Sequence, residues 1–185
     1  MPGPAAAAEI TSWHGCSGAS LAFDGARSAA IYQGTLREAL HAFKFRGKAA
    51  LARPLGDLVV EECGPAMAGE TITLVPVPLA RERERERGYN QAQLLARRIG
   101  VALAVPVEPR WLRRVRPTAP QSDLTAAQRR ANVRGAFAAA RAVAGRHVVV
   151  VDDVFTTGAT LEECARALRA AGAARVSVLT VARVP

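Results

Sequence analysis

The run Val148-Val149-Val150-Val151-Asp152-Asp153-Val154-Phe155-Thr156-Thr157-Gly158-Ala159-Thr160 constrains the fold of this chain more than any other stretch. Four consecutive branched apolar residues without alternating polarity call for a strand buried on both faces, which a helix-covered parallel sheet provides. Two acids follow the valines, and residues 152–158 read as a loop leading directly into a helix over 160–171. Gly172 stops that helix, and residues 175–181 form the next strand. Strand, helix and strand in this order predict an α/β fold of three layers, a mainly parallel twisted sheet flanked by helices.

The loop points to a ligand. In an open α/β sheet, ligands bind outside the carboxyl ends of the strands. A helix start offers unpaired N–H groups and partial positive charge to an anion. Thr156, Thr157 and Thr160 add hydroxyl donors, and Gly158 lets the backbone turn closely around a phosphate. Asp152 and Asp153 would repel that phosphate, but as acceptors they suit hydroxyl groups. A sugar with vicinal hydroxyls beside its phosphate, a ribose 5-phosphate, satisfies both parts. Thr160 and Glu163 also have capping-box spacing. That structural role explains those two residues and leaves the acid pair, the two other threonines and the glycine unexplained.

At 185 residues and 50% apolar, the chain supports one globular core. Residues 1–20 have no apolar period and read as a poorly ordered arm, leaving 21–185 as the domain. Strands are expected at 28–32 and 71–75, with short ones at 105–108 and 111–115. Helices are expected after Thr35, with Leu36, Leu40 and Phe43 on one face, then over 48–62, 90–103 and Ala126–Val133. Residues 116–125 hold two prolines and read as a loop. The three cysteines are odd in number and contain no C-x-x-C pair, which fits a reducing compartment. His14 and Cys16 offer two ligands where a structural zinc normally takes four, so zinc is not expected. No 18-residue apolar run and no basic leader stand in the sequence, and the expected location is the cytoplasm. Signatures for dinucleotide binding and Walker-type hydrolysis are missing.

Charge is uneven. Lys+Arg number 25 against 16 acids, giving +9, and residues 81–146 alone hold 15 arginines and five acids, a net of +10. Basicity of this kind fits nucleic acid, an anionic membrane or a polyanionic small molecule. In the run 81–87, Glu82, Glu84 and Glu86 offset three of four arginines, which is also how a solvated helix or loop face reads.

Residues 148–160 resemble the phosphoribosyl pyrophosphate (PRPP) motif of type I phosphoribosyltransferases: four apolar residues, two acids and a T-T-G-x-T turn. The string from Val75-Pro76-Val77-Pro78-Leu79 to Gly88-Tyr89-Asn90-Gln91-Ala92 resembles the ComF (competence protein F) family, which carries this domain. So do Arg116-x-Thr118-x-x-Gln121, Arg129-x-x-Asn132 and Phe43-Lys44-Phe45, and the likeness spans roughly residues 21–183.

The resemblance implies that Asp152 and Asp153 take the ribose hydroxyls, and that Phe155, Thr156, Thr157, Gly158, Ala159 and Thr160 cradle the 5-phosphate. Magnesium would enter with PRPP between ligand oxygens and the two acids. Val75, Pro76, Val77 and Pro78 would form the pyrophosphate loop with Arg87, and either proline could host a cis bond. Arg116, Thr118 and Gln121 fall where such enzymes carry a flap that excludes water, or they are ordinary surface loop. Relative to ComF proteins, an N-terminal zinc ribbon is expected to be absent or vestigial.

Two functions follow from the resemblance. One is a magnesium-dependent phosphoribosyltransferase, a pentosyl glycosyltransferase with Asp152, Asp153 and Arg87 at its centre. The other is a non-catalytic protein of DNA uptake and natural transformation that binds PRPP, a nucleotide or single-stranded DNA, with the competence machinery or a second copy in a homodimer as partner. Trp111, among arginines, either stacks a base or packs in the core.

Overall fold

A computed structural model describes residues 8–10, 21–118 and 125–185. Among them the chain runs β1 (Ala8–Ile10), β2 (Gly25–Ile31), α1 (Gly34–Phe45), α2 (Ala52–Cys63), β3 (Ile72–Pro76), α3 (Arg81–Arg87), α4 (Gln91–Leu103), β4 (Leu112–Arg114), α5 (Ala126–Val133), β5 (Phe137–Ala139), β6 (His147–Phe155), α6 (Ala159–Ala170) and β7 (Arg175–Arg183).

Five strands make one sheet in the order β1-β2-β7-β6-β3. All its pairings are parallel except β1 with β2. The expected three layers are present because β6 is apolar on both sides. Val148 and Val150 pack with Leu161, Cys164 and Leu168 of α6 on one face. Val149 and Val151 pack with Leu40 and Phe43 of α1, Val59 of α2, and Leu95 and Ile99 of α4 on the other. Successive side chains of a strand point to opposite faces, so an unbroken valine run feeds two cores at once. Beside the α6 face, β4 and β5 form a separate antiparallel ribbon whose Leu112 and Phe137 join that core. Trp111 is partly buried against the same cluster, so core packing is its role.

Several boundaries differ from expectation. Strand β6 runs on through Asp152, Asp153 and Val154 to Phe155, because β7 extends to Arg183 and keeps supplying partners, Asp152 opposite Thr180 and Phe155 opposite Arg183. The acids therefore sit on a paired strand rather than a loop. Thr160 lies inside α6, whose N-cap is Gly158 with no side-chain cap, so the capping box at Thr160 and Glu163 does not form. Glu163 instead accepts from the Gly135 N–H at 2.7 Å. Within the segment expected as an arm, residues 8–10 pair with β2 as an edge strand. Strand β3 includes Pro76 at its end, and the described residues contain no cis peptide bond, so neither Pro76 nor Pro78 takes that form. The turn needs none: the Val77 N–H still reaches the Val151 carbonyl at 2.9 Å, and the chain leaves the sheet only after it.

Candidate ligand-binding cleft

A cleft of about 700 Å³ opens at the carboxyl ends of β3 and β6. Its floor is the end of β6 and the turn into α6. One wall is Val77, Pro78, Leu79 and Ala80 with Arg83 and Arg87 of α3, and the rim includes Lys44, Phe45, Arg114, Thr118 and Arg129.

Alternation along β6 sends Asp153 to the side of Val149 and Val151, under α1, and Asp152 to the side of Val148 and Val150. Asp153 is 2% exposed. One of its oxygens lies 2.9 Å from the Lys44 ammonium, and the other, Oδ2, is buried with no hydrogen-bond partner. Asp152 is less enclosed, and its Oδ1 accepts from the Asp153 N–H at 2.9 Å. Burial, then the neighbouring charge of Asp153, raises Asp152 from 3.8 to about 7. Burial opposes the charge on Lys44, but the two carboxylates outweigh it and hold the ammonium above its ordinary range. Hard carboxylate oxygens, one of them unpartnered, fit a magnesium ion that arrives with its own ligand oxygens. Among the described residues no group of three or more His, Cys, Asp or Glu could hold a metal by itself.

Gly158 follows the threonines at φ +73°, the left-handed region, and a Cβ there would stand 2.9 Å from the Phe155 ring. Glycine is required on both counts. The 12-residue helix α6 then begins, aiming its first N–H groups at the turn lined by Thr156, Thr157 and Thr160.

The segment after α3 is built for position. Gly88 ends α3 in the left-handed conformation at φ +82°. Tyr89 stacks on Phe43 at 5.7 Å and donates its hydroxyl to the Phe43 carbonyl. Asn90 caps α4, accepting from Ala92 at 2.9 Å and Gln93 at 3.3 Å, while its amide donates to the Val77 carbonyl at 3.0 Å. That last bond fixes the 77–80 wall to the start of α4. Gln91 accepts from Arg87, whose guanidinium also lies 5.5 Å over the Phe45 ring.

The structure thus gathers Asp152, Asp153, Thr156, Thr157, Gly158, Ala159, Thr160, Val77, Pro78, Arg87 and Thr118 around one space. Val75 is fully buried in the sheet, and Val75, Pro76 and Phe155 support the cleft from behind without lining it. Arg116 is elsewhere: it donates to the carbonyls of Asn132 at 2.9 Å and Arg134 at 2.7 Å. Gln121 of the expected flap, like His14 and Cys16, lies outside the described residues. Sequence reasoning missed Lys44, Phe45, Arg83, Gln91, Arg114 and Arg129. The pattern Phe43-Lys44-Phe45 was a visible signal for the first two, but nothing local says that a helix end meets a strand end more than 100 residues away.

Comparison with known proteins agrees with this architecture. Residues 85–185 match the model of the phosphoribosyl transferase domain. The chain is 36% identical over 160 residues to DNA utilization protein YhgH of Salmonella typhi, covering 84% of this chain and 70% of that protein. Competence protein F of Haemophilus influenzae is 35% identical over 148 residues, 76% of this chain and 65% of its own length. An allosteric regulatory enzyme of purine biosynthesis shares the fold with a TM-score of 0.50 at 24% identity, over 77% of this chain and 30% of that one. Acid pair, threonine–glycine turn, sheet order and relatives converge: this chain belongs to the ComF family and carries its type I phosphoribosyltransferase domain.

Proposed function

We infer that the cleft binds PRPP with magnesium and that the protein transfers 5-phosphoribosyl groups to or from a nitrogenous acceptor. The observation that carries this reading is the pairing, across one cleft, of the acids and turn of 152–160 with the wall of 77–80, Arg83 and Arg87. The N–H groups at the start of α6 and the threonine hydroxyls take the 5-phosphate. Asp152 accepts from the ribose hydroxyls, and Arg87 with Arg83 draws on the departing pyrophosphate. As the C1–oxygen bond breaks, its electron pair leaves on pyrophosphate and the acceptor nitrogen bonds C1. Positioning and charge neutralisation supply the rate, with no covalent nucleophile. Bound magnesium would neutralise pyrophosphate charge beside the hydroxyls. The setting we assign is the cytoplasm; in the described residues no helix is long and apolar enough to cross a membrane.

A second reading rests on charge and kinship. Lys44, Arg83, Arg87, Arg114 and Arg129 outnumber Glu86, Asp152 and Asp153 around the cleft, and the relatives are named for DNA utilization and competence. In this reading the protein acts in DNA uptake without catalysis, binding PRPP, a nucleotide or single-stranded DNA.

Calorimetric titration with PRPP, with and without magnesium, tests the first reading. Micromolar binding that needs magnesium and disappears in Asp152→Asn is expected, and no heat with the wild type would sink it. Pyrophosphate release with purine, pyrimidine or nicotinate acceptors then marks an enzyme. If none is released, single-stranded DNA affinity that falls steeply with salt marks the second function.

A further inference from the structure

The PRPP reading leaves Lys44 without a role, although it pairs with one of the two acids. It stands one residue before the end of α1, and the ion pair at 2.9 Å joins it to Asp153 on β6, distant in sequence. The lysine side chain is 25% exposed and that of Asp153 3%, so water screens the pair little. Two adjacent carboxylates at the open end of a strand would otherwise present two negative charges and several hard oxygens to solution, the donor set that free divalent cations occupy.

We propose that Lys44 is the resident cation of the Asp152–Asp153 pair: a positioning residue that holds Asp153 in place, keeps free divalent metal off the empty site, and reserves Asp152 for a ligand that brings its own metal. This deepens the PRPP reading and rests on it. The ammonium cancels one carboxylate charge, leaving the pair with at most one net negative charge, too little to strip a hydrated divalent ion of its water unaided. A polyphosphate ligand supplies the missing oxygens, so metal and ligand enter together. Lysine suits the task as a compact point charge, because a spherical ammonium mimics an ion more closely than a planar fork does. The other Asp153 oxygen is buried without a hydrogen-bond partner, so among the described residues the Lys44 ammonium is the one cation paired with that carboxylate.

The test titrates Mn²⁺ alone into the full chain, reading free ion by its electron paramagnetic resonance signal, for wild type, Lys44→Met, Lys44→Gln and Lys44→Arg. Wild type and Lys44→Arg should retain no Mn²⁺ below millimolar concentrations. Lys44→Met and Lys44→Gln should bind it about tenfold tighter or more, since a full charge near the carboxylates has gone. Glutamine keeps a donor for the buried carboxylate and serves if the methionine variant does not fold. Neutral variants that ignore Mn²⁺ as the wild type does would overturn the proposal, as would a wild type that binds the bare ion tightly. A parallel PRPP titration with magnesium separates the two readings. Absence of PRPP binding in wild type and variants alike defeats the PRPP reading, while the metal-only arm reports on Lys44 by itself.

Discussion

At the level of single residues, Asp152 carries a conflict between the empty fold and the ligand. Its raised value means that the native state holds the proton more tightly than the unfolded chain does. Its contribution to ligand-free stability is therefore fully present below the unfolded carboxyl value and is lost as pH rises between 3.8 and about 7. The thermal midpoint of the ligand-free protein should fall by a few degrees across that window. Asp152→Asn should flatten the slope and melt above the wild type at neutral pH. If Asp152 accepts from the ribose hydroxyls as we propose, the ionised form binds, so PRPP affinity in the wild type should rise over the same interval. Calorimetric melts and titrations at matched pH values check both, and an equal slope in the variant would refute the assignment. A residue that weakens the fold while serving the site is expected where function sets the sequence.

Among the elements, the turn joining α3 to α4 is the most heavily committed. Asn90 satisfies two N–H groups of α4 and one carbonyl of the 77–80 wall with a single side chain. Asn90→Ala should cost about 1–2 kcal/mol in urea unfolding and also weaken PRPP binding. Asn90→Asp keeps the acceptor and loses the donor, so most of the stability should survive while binding still falls. If both variants bind as the wild type does, the tie to Val77 has no bearing on the ligand. Elements of this kind also show what was legible beforehand. The valine run gave away an interior strand, and residues 126–133 read as a helix after the proline-bearing loop; in the structure Thr125 and Gln128 cap that helix with a local capping box. Strand β5 was not readable, since three residues of FAA gain their structure only from pairing with β4. The end of β6 was likewise decided by its neighbour β7. The threonine–glycine turn into α6 is local and was legible as a turn; the Lys44 ion pair and the Arg116 carbonyl contacts join distant segments and were not.

For the whole molecule, among the described residues each face of the sheet holds one free buried thiol, Cys63 with α1, α2 and α4, and Cys164 with α6. Burial pushes Cys63 up to about 11 and Cys164 well above its ordinary range, so neither reacts readily in the native state. They report separately on the two cores. If the domain unfolds as one unit, both should become reactive at the same denaturant midpoint, read by mass spectrometry of labelled peptides. Distinct midpoints would mean that the two layers open independently.

The sheet order has a bearing on inheritance. The stretch that bears the domain likeness, 85–185, contains the acid pair and the turn into α6, yet β2 and β3, the strands flanking the β7–β6 pair, both precede it. Cut out alone, it would expose two unpaired sheet edges, a template for aggregation rather than a domain. The acid-pair cleft is thus no transplantable cassette: recombination can move it between proteins only together with the amino-terminal half that closes the sheet around it.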